Sequence, residues 1–221
     1  MTVASAKPKP LKRYIATLTT LVALLAISAL IAGFVVWPLS PTNLGRAGGA
    51  TAAQLHQHWQ AGDVVVLVRH GERCDRSANA CLGAADGITV QGRDAAAQLG
   101  SAFMSMGMEK ADVLSSPLTR TAQTAQAMFS RASKEQDWLV NCDVDMAGDI
   151  KTHKVAGRNL VLVTHSSCID RFENAMGFPH AKDSEYTSSL FATAGANGKL
   201  QILGVVNVQD WPKVIALNSG L

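Results

Sequence analysis

Apolar positions fall along this chain in two regimes: one long uncharged stretch near the start, then short β-branched runs alternating with stretches of helical spacing. Residues 63–69, DVVVLVR, are continuously apolar rather than alternating. This predicts a strand covered on both faces, as in a parallel sheet, because a strand with one wetted face would carry a polar residue at every second position. After Thr89, the residues Ala96, Leu99, Phe103 and Met106 recur at helical spacing, with Gly107 as a stop. Residues 111–115 form a short second apolar run. Ser116-Pro117 then reads as a helix cap and first-turn proline, with Leu118, Ala122, Ala125 and Phe129 along one face. Another buried strand, NLVLVTH at 159–165, leads into a short helix over 167–176. Such alternation predicts a three-layer α/β/α sandwich with a mostly parallel central sheet over residues 51–221. Sheets of this kind bind ligands beyond the carboxyl ends of their strands. Arg69-His70, the segment from Ser116 to Arg120, and His165 all arrive at that edge.

The long stretch, Tyr14 to Trp37, has 24 residues without a charge and as a helix would span roughly 36 Å. Lys7, Lys9, Lys12 and Arg13 precede it, so residues 1–13 are expected to stay in the cytoplasm. Residues 14–37 then form one transmembrane anchor, with the rest of the chain outside. A cleaved signal peptide fits less well: the run is long, and no small-x-small cleavage site closes it. Residues 38–50, PLSPTNLGRAGGA, read as a linker.

With 221 residues, 48% of them hydrophobic and 17% charged, one ordinary core is expected. The net charge of +3 gives no nucleic-acid footprint, because four of the basic residues lie ahead of the span and the remainder is nearly neutral. All four cysteines, Cys74, Cys81, Cys142 and Cys168, follow the span. An oxidising compartment would permit two disulfides in any of three pairings, of which one containing the short Cys74 to Cys81 loop is the simplest. No C-x-x-C pair or other metal-ligand spacing occurs, and neither metal nor cofactor is expected.

The run Arg69-His70-Gly71 at the end of the first strand, Ser115-Ser116-Pro117-Leu118-Thr119-Arg120-Thr121 and Val163-Thr164-His165 together resemble the signature elements of the histidine phosphatase superfamily. RHGERCDRS, Cys81, Gly87-Ile88-Thr89-Val90, Cys142 and Cys168, behind an apolar N-terminal segment, are similar to the lipopolysaccharide core heptose(II)-phosphate phosphatase group. That resemblance implies a periplasmic enzyme, held on the bacterial inner membrane by a single span, that acts on an outer-membrane sugar phosphate.

The chemistry is consistent with such residues. A phosphoryl group resists attack until its charge is neutralised and the reacting atoms are aligned. Arg69, Arg73 and Arg120 would supply forked donors. The same arginines disfavour the imidazolium form of His70, leaving it a nucleophile that would pass through a phosphohistidine. His165 would donate to the phosphoryl oxygens. The leaving alkoxide needs an acid; one branch of the superfamily places it directly after the second histidine, where this chain has Ser166. Position relative to Cys142 selects Asp145, with Asp143 beside it. A phosphoprotein phosphatase, a mutase and an inactive phosphosugar-binding module are the alternative readings.

Overall fold

The computed structural model describes residues 11–36, 40–142, 145–195 and 198–219. Contacts divide the chain into two units, Met1–Pro38 and Leu39–Leu221. The first contains helix α1, Leu11–Val36. Its side chains from Tyr14 to Ala29 are exposed, and the hydroxyls of Thr17, Thr19, Thr20 and Ser28 donate to carbonyls one turn earlier. Hydroxyls satisfied within the helix suit an apolar environment. Among the described residues no helix is long and apolar enough to cross a membrane; side chains of α1 are described only over 14–29 and at Gly33.

The second unit is built on a six-stranded sheet of order β3-β2-β4-β1-β5-β6. The strands are β1 (Val64–Arg69), β2 (Ala111–Ser115), β3 (Lys134–Glu135), β4 (Asn159–Thr164), β5 (Ser189–Ala194) and β6 (Leu200–Val206). The first four pair in parallel. β5 runs antiparallel to β1, and β6 antiparallel to β5, so the sheet is mixed.

The continuous apolar run of β1 is explained by its two covered faces. Val64, Val66 and Val68 join a core with Trp59, Phe103, Met128, Phe191 and Trp211. These come partly from α2 (Gly49–Ala61), α3 (Val90–Met106), α4 (Thr119–Phe129) and α7 (Trp211–Ser219). Val65 and Leu67 point the other way, into a core with Ile150, Leu162, Ile169 and Phe172, served by α5 (Met146–His153) and α6 (Ser166–Ala175). Alternate residues of one strand thus feed two cores, which makes the three layers.

Two boundaries depart from the sequence reading. Helix α4 begins at Thr119 with Leu118 as its cap, not at Ser116-Pro117. The Ser116 side chain is engaged elsewhere, as shown below. The segment expected as a linker belongs to the domain: Leu44 is fully buried, Asn43 bridges Val205 of β6 in parallel, and α2 opens at Gly49. Asn43 also donates to the buried Asp210 carboxylate at 2.8 Å, a cross-link that a flexible tether would not keep.

Both disulfides form, as Cys74–Cys81 and Cys142–Cys168, with Cα separations of 5.2 and 5.4 Å. The second ties the chain ahead of α5 to the first turn of α6, three residues past His165.

Candidate active site

His70 follows the last residue of β1, and its backbone N–H donates to the Thr164 carbonyl of β4 at 3.0 Å. The imidazole is 3% exposed, and its Nδ1 lies 2.8 Å from the Gly71 carbonyl. A carbonyl only accepts, so Nδ1 carries the proton and Nε2 keeps its lone pair. Burial, and then the charges of His165, Arg120 and Arg69, push the pKa of His70 down to about 3. Gly71 is required where it stands: a Cβ there would come within 2.9 Å of the Gly92 backbone oxygen. Its N–H donates to the Thr124 hydroxyl at 2.9 Å, which holds the loop after the histidine against α4.

His165, the N-cap of α6, places its ring 5.3 Å from that of His70. Its Nε2 is 2.9 Å from the Ser116 hydroxyl, and that oxygen also accepts from the Leu118 N–H at 3.3 Å. The hydroxyl proton of buried Ser116 has no acceptor among the described residues other than Nε2, so Ser116 donates to Nε2, which puts the His165 proton on Nδ1. That buried nitrogen has no hydrogen-bond partner among the described residues, which leaves its N–H to face a ligand. Ser116 is therefore a positioning residue that sequence reasoning had cast as a helix cap. Ser116→Ala is expected to lower kcat about 10- to 100-fold by freeing the His165 ring, measured by steady-state phosphate release. A loss of less than about twofold would remove Ser116 from this role.

Burial, followed by Arg120 and Arg73, pushes the His165 pKa down to about 4. Both histidines are thus neutral in the fold at pH values where the unfolded chain, with His near 6.5, binds protons. Their contribution to stability is complete above about pH 6.5 and is lost as pH falls towards 4 and then 3. A melting temperature that declines over that window, and declines less steeply in His70→Asn, is the expected result; identical slopes would overturn it.

Arg120, in the first turn of α4, is half-buried, and its Nε has no hydrogen-bond partner among the described residues. Burial and then Arg73 lower its pKa. Arg69 donates to the Ser184 carbonyl, and its guanidinium stacks 4.0 Å over the Tyr186 ring, itself 5.8 Å from the His70 ring. Arg73 is bound by both oxygens of Asp75, and that hydrogen bonding holds the Asp75 carboxyl below its ordinary range. Five of the six expected residues, Arg69, His70, Arg73, Arg120 and His165, are thus brought to one sheet edge. Such a concentration of cations around neutral imidazoles is suited to a multiply charged anion.

Asp145 does something different: it caps α5, its carboxylate accepting from the Gly148 N–H at 2.9 Å, and it is exposed. Asp143 lies outside the described residues. Among the described residues no carboxylate hydrogen-bonds to His70 or His165. Glu72 accepts from Ser77, Asn79 and Thr89, bracing the loop closed by Cys74–Cys81. Tyr186 escaped the sequence reading because it lies in a loop without periodicity or motif; its neighbour Ser184 gave no signal either.

The model of the histidine phosphatase superfamily (branch 1) matches residues 65–139. A lipopolysaccharide core heptose(II)-phosphate phosphatase from Salmonella newport is 37% identical over 198 residues, covering 87% of this chain and 92% of the relative. The protein of that name from Escherichia coli is 38% identical over 162 residues, covering 72% and 76%. Among solved structures, the protein histidine phosphatase SixA complexed with tungstate superposes with a TM-score of 0.53 at 16% identity, covering 66% of this chain and 98% of that one; this likeness concerns the fold alone. With the identity extending across nearly the whole length, the chain belongs to the histidine phosphatase superfamily and is a phosphoric monoester hydrolase of that family.

Proposed function

We propose that this protein is a membrane-anchored periplasmic phosphatase that releases phosphate from a lipopolysaccharide core heptose phosphate, by way of a phosphohistidine on His70. The observation that carries the chemistry is the pair of neutral, buried histidines with assigned tautomers: Nε2 of His70 has a lone pair, and Nδ1–H of His165 is an unused donor. In the first step Nε2 attacks phosphorus, the ester P–O bond breaks, and the leaving alkoxide takes a proton from solvent, one that the attacking water gives back in the second step. In the second, water attacks phosphorus, the P–N bond breaks, and phosphate departs. Arg69, Arg120 and Arg73 offset the charge on the phosphoryl oxygens in both steps, and His165 donates to one of them.

The substrate assignment is supported by relatives of that name at 37 and 38% identity. The location is supported by the basic N-terminus, the uncharged stretch over 14–37, and two disulfides in the second unit. Turnover on that substrate tests the assignment. The full-length protein is to be assayed on phosphorylated core oligosaccharide, together with a topology reporter fused after Leu221. Phosphate release and a periplasmic reporter are expected; a folded protein that binds the oligosaccharide without releasing phosphate overturns the enzyme reading, and a cytoplasmic reporter overturns the location.

A further inference from the structure

A cleft of about 640 Å³ opens beside the candidate site, and Arg69 and Tyr186 form part of its wall. The same Tyr186 ring lies against both His70 and Arg69, so an ester whose phosphoryl group sits at the histidines has this cleft next to it. Apart from the hydroxyl residues Ser184 and Thr187, the rest of the polar lining is amide or carboxylate. Asn79, Gln91 and Gln209 bring amides, and Glu72, Asp183 and Glu185 bring carboxylates. Within it Asn79 donates to Glu72 at 2.9 Å and Gln209 to Glu185 at 3.2 Å.

A hydroxyl group both donates and accepts, so a ring carrying several is matched by interleaved amides and carboxylates. A carboxylate or second phosphate on the leaving group would instead face three acids. One of these is held ionised: hydrogen bonds from Asn79 and Thr89 keep the Glu72 carboxyl below its ordinary range. The cleft thus carries three acids against one cation, Arg69, which it shares with the histidine site. Asn79, Gln91, Asp183, Glu185 and Gln209 are all exposed, leaving the cleft open to a group larger than one sugar.

We propose that this cleft is the subsite for the alcohol portion of the ester, and that it accepts neutral polyhydroxylated groups while rejecting anionic ones. The proposal rests on the phosphatase reading and specifies its substrate class. Selectivity arises from repulsion of wrong substrates as much as from attraction of right ones. Asp183 and Glu185 flank Ser184, whose backbone carbonyl receives Arg69; neutral isosteres at 183 and 185 leave that carbonyl in place.

Glucitol 6-phosphate and 6-phosphogluconate form a matched pair, since both are primary alkyl phosphates on an open polyol chain and the second has a carboxylate in place of the terminal CH2OH. The full-length protein is expected to show a kcat/KM at least about tenfold higher on the first. Asp183→Asn combined with Glu185→Gln is expected to shrink that ratio severalfold, chiefly by improving turnover of 6-phosphogluconate. Equal or reversed preference in the wild type overturns the proposal, as does a ratio that the double substitution leaves unchanged. Preference for a phosphoserine peptide over both sugars also overturns it. p-Nitrophenyl phosphate distinguishes the two levels: no His70-dependent hydrolysis of it means that the phosphatase reading itself has failed, whereas hydrolysis without the charge preference means that only the subsite has.

Discussion

His70→Ala is expected to lower kcat on p-nitrophenyl phosphate on the order of ten-thousand-fold or more, the scale at which loss of a nucleophile is felt in covalent catalysis. The geometry leaves no substitute: His165, the other imidazole at the edge, has its Nε2 committed to Ser116, and its remaining nitrogen carries a proton. The arginines that neutralise the phosphoryl group are untouched by the change, so inorganic phosphate should still bind. Rapid-quench measurement with labelled substrate provides the second readout. The wild type should accumulate an acid-labile, base-stable phosphoenzyme, and His70→Ala none. A variant with more than about a tenth of wild-type kcat, or one that still forms that phosphoenzyme, removes His70 from the role of nucleophile.

The largest expected effect on stability is loss of the Cys142–Cys168 bridge. Its partners are 26 residues apart, for which loop entropy gives about 3.5 kcal/mol. The shorter bridge, with a separation of seven, gives about 2.3 kcal/mol by the same relation. Both Cys142 and Cys168 are buried, in the core that also contains Ile150, Ile169 and Phe172, so Cys142→Ser adds the burial of an uncrosslinked hydroxyl to the lost constraint. A fall in melting temperature of about 7–14 °C is expected for a domain of this size. Because the bridge joins the approach to α5 to the start of α6, just past His165, activity should decline at temperatures below the main unfolding transition. A melting temperature within about 2 °C of wild type would show that the bridge contributes little. Reduction of the intact protein, which also opens Cys74–Cys81, should lower the melting temperature by at least as much.

Much of the parallel half of the sheet was legible because its strands are buried on both faces: β1 and β4 announce themselves as unbroken apolar runs, and each run ends on a histidine. The antiparallel half was not. β5, SLFATA, is as buried as β1 but short, and it interleaves Ser, Ala and Thr with its apolar residues. β6 alternates only weakly and has an irregular register opposite Phe191 and Ala192. The convergence of Arg69, His70, Arg73, Arg120 and His165 on one sheet edge was readable because motif order and strand ends coincide. Asp145 could be located by spacing from Cys142, but spacing does not reveal that the nearest demand on its carboxylate is the amide of Gly148. Ser116 was misread for a related reason. A serine before a proline has the form of a helix cap, and only the tertiary approach of His165 turns its hydroxyl inward while the helix starts three residues later.

Residues 42–44 have a consequence beyond correcting the linker. The Leu44 N–H donates to the Val205 carbonyl, and the Val205 N–H donates to the Thr42 carbonyl, so this segment occupies the outer side of β6. At the opposite end of the sheet, β3 is only two residues long. At Val205 the segment 42–44 therefore interrupts the outer row of amides and carbonyls to which another chain could add. Catalytic domain released from α1 at residue 50 would lose that interruption and leave the outer row of β6 open along its length to self-association, while release ahead of Ser40 would keep it.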